Sequence, residues 1–151
     1  MAQTEHHDTF LSSAQLFERA AIRCREAEQG LRNYFGQAGE ARLMEMKNIA
    51  DQEHQLACAL ERFVESGPAK VLNTRLQYQL DSKLLKKISS RSLDDAVDQL
   101  TSLNNDLAST FHDQALKSGS PSVREAMENI STEVNAINRR ISMIRVTAQD
   151  I

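Results

Sequence analysis

Apolar residues recur every three to four positions through four long stretches of this chain. Phe10, Phe17, Cys24 and Leu31 repeat every seven residues, with Ala14, Ala21, Glu28 and Phe35 at the alternate positions. A stripe of that period predicts a helix over about 8–35. Ser12 and Gln15 are spaced as a capping box just inside its start. Gly36-Gln-Ala-Gly39 predicts a tight turn. The second stripe, Met46, Ile49, Glu53, Leu56, Leu60 and Phe63, predicts a helix over 40–66 ended by Gly67-Pro68. The third, Leu93, Val97, Leu100, Leu103, Leu107 and Phe111, starts at Ser92, with Asp95 as a capping partner. The fourth, Val123, Met127, Ile130, Val134, Ile137, Ile141 and Ile144, starts with Ser120 as N-cap and Pro121 at the first helical position. In residues 67–91 the leucines 72, 76, 80 and 84 and Ile88 recur every fourth position, so part of that stretch reads as helical. Lys83, Lys86, Lys87 and Arg91 there read as a solvated basic face. No alternating strand pattern stands out.

Connection lengths then predict topology. The first and second helices are joined tightly, and so are the third and fourth, which makes each pair an antiparallel hairpin. About 25 residues separate the pairs, enough to cover the ~39 Å of a 26-residue helix. The expected architecture is all-α: a single four-helix bundle over 1–151, two antiparallel hairpins joined by a long crossover at 67–91, with 1–8 a mobile tail. A fifth helix in an up-and-down array is the alternative. If the first turn is centred near residue 37.5, Cys24 faces residue 51, seven positions from Cys58. That is about 10 Å along a helix, beyond disulfide reach.

Composition narrows the function classes. The chain has 151 residues, 40% hydrophobic and 26% charged, with a net charge of −3 and no Trp. These values fit a globular protein with no broad electrostatic pull on nucleic acid. No stretch approaches the ~20 apolar residues that span a bilayer, and residues 1–8 lack the apolar run of a signal peptide. A cytoplasmic location is expected, and with it two reduced thiols.

Glu53 is the residue most suggestive of chemistry, because it lies on an apolar stripe. A buried carboxylate is costly unless paired, protonated or bound to metal. The second helix reads Ala50-Asp-Gln-Glu53-His-Gln-Leu56 and the fourth Ile130-Ser-Thr-Glu133-Val-Asn-Ala136. The first offers Glu18-Arg-Ala-Ala21 and the third Asn105-Asp-Leu-Ala108. In these motifs, and in Phe111-His-Asp-Gln-Ala followed by Pro121-Ser-Val123, the chain resembles the ferritin-like superfamily, its rubrerythrin-like branch most closely. The resemblance implies a bundle with inward carboxylates at Glu18, Glu53 and Glu133 as candidate metal ligands. It also implies what is missing. The two imidazole positions are Leu56 and Ala136, and the third-helix carboxylate position is Asn105, so the metal site is degenerate. Arg25, two turns from Glu18, is a candidate neutralising cation.

The other polar candidates read as structural. His54 should face about 100° away from Glu53 and lie on the surface. His112 suggests an interhelical hydrogen bond, and His6-His7 belongs to the tail. Cys24 and Cys58 read as small core or flank residues, and Met44 and Met46 as core fillers. The expected function is a non-catalytic structural or protein-interaction role, with the question of enzyme activity left open but leaning to none, no cofactor, and a homodimeric assembly suggested by the leucines of the crossover. One alternative is a carboxylate metalloprotein holding iron or manganese, with oxidase, peroxidase or iron-handling activity. Another is a helical adaptor that binds a partner helix.

Overall fold

A computed structural model describes residues 10–79 and 92–149. The elements in chain order are β1 (Phe10–Ser12), α1 (Ser13–Arg32), a 3-10 turn (Phe35–Gln37), α2 (Glu40–Ser66), a short α3 (Ala69–Leu72), β2 (Arg75–Gln79), α4 (Leu93–Lys117) and α5 (Pro121–Gln149). Among the described residues the fold is all-α apart from one small strand pair. Residues 1–8 and residues 80–91 of the expected crossover, with its basic positions, lie outside the described residues.

The helix ends sit where their capping chemistry puts them. Ser12 and Gln15 form the reciprocal capping box, so α1 begins at Ser13 and not near residue 8. Ser92 accepts from the Asp95 amide at 3.1 Å, and the Ser120 carbonyl accepts from the Arg124 amide at 2.9 Å. α2 stops at Gly67, whose amide donates to the Phe63 carbonyl, and Pro68 follows with no amide hydrogen to continue the ladder.

α1 packs along α2 and α4 along α5 as antiparallel hairpins. Phe17 meets Phe63 at a centroid distance of 4.9 Å, while at the other end Arg32 reaches Asp51. In the second hairpin His112 bonds Glu128 and Asn138 bonds Asn105. α2 and α4 run in the same direction, since Arg42 lies near Asp94 and Glu53 near Asn104. α5 runs against α2, with Arg140 beside Glu45. Phe17 also meets Phe111, at 5.4 Å, so one aromatic cluster ties α1, α2 and α4 together.

The apolar stripes form the core. Leu16, Phe17, Leu31, Met46, Ile49, Leu60, Leu100, Leu107, Phe111, Met127 and Ile141 are all buried. Met44 departs from its expected place in the core and is 70% exposed. It sits in the first turns of α2, which run past the end of α1.

Two other expectations are corrected. Residues 75–79 form a strand, not a helical continuation of the leucine spacing, and they pair antiparallel with Phe10–Ser12. The pairing continues into α1, whose Ser13 amide donates to the Thr74 carbonyl at 2.8 Å. The first hairpin is also slipped from the turn-centred register by more than one helical turn. Arg25 bonds Cys58 and Glu28 bonds His54, which places Cys24 across from the Cys58 region and not seven residues away. Both cysteines are free thiols.

Candidate functional site

The sequence singles out Glu18, Glu53 and Glu133, and the structure separates them. Glu53 is 1% exposed in the core, whereas Glu18 and Glu133 occupy exposed faces of α1 and α5. Among the described residues no group of three or more His, Cys, Asp or Glu side chains is placed to hold a metal ion. The inward trio suggested by the motif spacing is therefore not assembled. Helical phase explains this: Glu18 follows the buried pair Leu16 and Phe17, and Glu133 precedes the buried Val134, so each points off its apolar stripe.

Glu53 instead has two polar neighbours that lie outside those motifs. Asn104, buried on α4, donates its Nδ2–H to Glu53 Oε2 at 3.5 Å, a long bond. The Cys24 thiol of α1 lies beside the same carboxyl. Asn105, the residue matched to the family motif, is one position away on an exposed face and bonds Asn138. Burial pushes the Glu53 carboxyl up to about 7; the Asn104 and Cys24 hydrogen bonds oppose that rise and the Glu28 charge adds to it. Burial likewise pushes the Cys24 thiol well above its ordinary value, and the neighbouring Glu53 pushes the same way.

Above this buried pair, on the outer seam between α1 and α2, lies a denser polar cluster. Arg25 does not reach toward Glu18 as a neutralising partner. Its Nη2 donates to Glu61 at 2.7 Å and to Cys58 Sγ at 3.4 Å, and its Nε donates to Glu61 at 3.2 Å. His54 faces outward as expected, 48% exposed. Its Nδ1 lies 3.1 Å from Glu28 Oε1 and 2.9 Å from Arg25 Nη1, and its Nε2 lies 3.6 Å from Cys58 Sγ. Arg32 braces the far side, donating to Glu28 at 2.8 Å and to Asp51 at 3.2 Å. Burial alone would raise the Glu28 carboxyl, but hydrogen bonds from Arg32 and His54 outweigh it and hold the group below its ordinary value. The sequence signal for this cluster was present in the His54–Cys58 spacing of four residues; what it lacked was the hairpin register.

A third feature is an open groove of about 460 Å³ between α2 and α5, lined by Gln52, Gln55, Leu56, Ala59, Thr132, Glu133, Ala136 and Ile137. Leu56 and Ala136, the positions where the ferritin-like resemblance would expect imidazoles, both line this groove, Leu56 as buried floor and Ala136 as exposed wall. Elsewhere His112 Nδ1 bonds Glu128 across the second hairpin at 2.9 Å. No helix among the described residues is long and apolar enough to cross a membrane. No family model, curated protein or solved structure matches the chain.

Proposed function

We propose that this chain is a degenerate ferritin-like bundle with a structural or protein-interaction role, working in the cytoplasm as a homodimer. One observation carries the reading. Of the three carboxylates that the family pattern would turn inward, only Glu53 faces the core, and its neighbours there are a thiol and an amide. A pair of irons or manganese ions draws on inward carboxylates from four helices and on imidazoles. Glu53, Cys24 and Asn104 are a poor donor set for that chemistry. The two hairpins, and the shared direction of α2 and α4, support the ferritin-like topology. The α2–α5 groove supports the interaction role. Small residues at Ala59 and Ala136 let another helix approach closely, and Leu56 and Ile137 give it an apolar floor.

The test is metal content and mass in solution. Protein purified without a tag and loaded anaerobically with Fe(II) or Mn(II) is expected to hold well under one metal per chain after desalting. Sedimentation is expected to give a dimer, and Ala136→Arg to give a monomer with an unchanged helical spectrum. Two metals per chain, with a metal-dependent rise in melting temperature that Glu53→Gln abolishes, would instead establish the metalloprotein. A monomeric wild type that gains thermal stability from a partner helix would establish the adaptor.

A further inference from the structure

We propose that Cys58 is a nucleophilic thiol that small hydroperoxides oxidise to a sulfenic acid, with His54, Glu28 and Arg25 as its supporting groups. The inference stands apart from the interaction role and uses a different face of the molecule. Two side chains line up behind one sulfur: His54, with Nε2 at 3.6 Å from Sγ, and Glu28, with Oε1 at 3.1 Å from the other ring nitrogen. Nucleophile, base and orienting carboxylate in sequence are the arrangement that activates a thiol. A third group, the Arg25 guanidinium, donates to the sulfur itself at 3.4 Å.

The placement is rigid. His54 and Cys58 are one turn apart on α2, and Arg25 and Glu28 are one turn apart on α1. Glu61 grips Arg25 through two bonds, and Arg32 grips Glu28. Cys58 is half-buried, so a small solute reaches its sulfur without the core opening. Cys24 differs: it is 2% exposed, in the core beside the Glu53 carboxyl.

The two His54 tautomers serve the two ends of the reaction. With the ring proton on Nδ1, that nitrogen donates to Glu28, the Arg25 Nη1–H 2.9 Å away has to turn aside, and Nε2 is free to take the thiol proton. With it on Nε2, Nδ1 accepts from Arg25 and Nε2–H donates to the sulfur. In the step itself the thiol proton passes to Nε2, and a sulfur electron pair attacks the terminal oxygen of the hydroperoxide. The S–O bond forms as the O–O bond breaks. The departing alkoxide collects the proton from His54 and leaves as the alcohol. Sulfur is oxidised by two electrons, the peroxide is reduced by the same two, and Arg25 faces the charge that develops. An acyl substrate would need donors aimed at an oxyanion, and the Arg25 Nη2–H here is aimed at the sulfur. Cys24 is 2% exposed in the core, so an external thiol is the expected resolving group.

The experiment uses the reduced full-length chain, hydrogen peroxide, and trapping of sulfenic acid with dimedone followed by peptide mass spectrometry. The adduct is expected on Cys58, at a rate at least about tenfold above that of free glutathione, and His54→Gln should slow it by about tenfold or more. Cys24→Ala should leave the rate unchanged. His54 is half exposed, so its replacement spares the core; Arg25→Lys, which keeps the charge but not the planar fork, gives a second test with circular dichroism as the folding control. A rate no faster than glutathione, an adduct mainly on Cys24, or a His54→Gln rate equal to wild type would each overturn the proposal.

Discussion

At the scale of single residues, Glu53 sets a pH dependence whose sign follows from burial. Its carboxyl keeps its proton to about 7 in the folded chain, against the ordinary 4.5 when exposed. Between those values the folded state binds more protons than the unfolded state, so stability falls as pH rises through the window and the loss is complete above it. At ~1.4 kcal/mol per pH unit the loss is on the order of 3 kcal/mol. Glu53→Gln removes the ionisation. Its stability relative to wild type should grow by about that amount between pH 4.5 and 7 and stay flat on either side. Urea unfolding at a series of pH values checks this, and parallel curves for the two proteins would refute it. Glu53 was visible in the sequence because a charge on an apolar stripe breaks the pattern. Cys24 and Asn104 were not visible as its partners, because a thiol and an amide fit a core stripe or a surface equally well until three helices are placed together.

Single elements show where local chemistry decides structure and where it does not. A side chain at Gly67 would put its Cβ 2.4 Å from the Phe63 carbonyl oxygen and 3.0 Å from the Phe63 ring. Backbone and a ring packed against the core have little room to yield. Gly67→Ala should therefore cost about 1–3 kcal/mol, read as a shift in the urea midpoint, while Gly36→Ala, with open space around it, should cost far less. Ser12→Ala removes one half of the α1 capping box and should cost about 1 kcal/mol by the same measurement. Helix ends such as these were legible because capping needs only a few neighbouring residues. Register was not, because it depends on how the 33–39 link crosses from one helix to the next. β2 was missed for a related reason. Arg75-Leu-Gln-Tyr-Gln79 alternates like a strand, yet Leu72, Leu76 and Leu80 keep a helical spacing, and a run this short satisfies both templates. A partner strand more than sixty residues away, not the local sequence, decides between them.

Across the whole molecule, the Phe17, Phe63 and Phe111 cluster does what no single hairpin contact can, because it joins the two hairpins at one end of the core. Phe17→Ala should remove ~3–5 kcal/mol, a large part of the ~5–15 kcal/mol of a typical domain; a loss under about 1 kcal/mol in chemical denaturation would mean that the cluster is not shared between hairpins. The grouping of helices into two pairs was readable from link lengths alone, since a three- to seven-residue link leaves a helix no choice but to fold back. The strand pair at the same end has a mechanical meaning. Backbone from the start of α1 is stitched to backbone that follows α2, so the segment between them forms a loop closed without a covalent bond. Tension applied at the amino end loads the Phe10–Ser12 ladder before it reaches α1. The first helix is thereby shielded from peeling, and the earliest rupture under force should be a shear of this short ladder, not the unwinding of a helix.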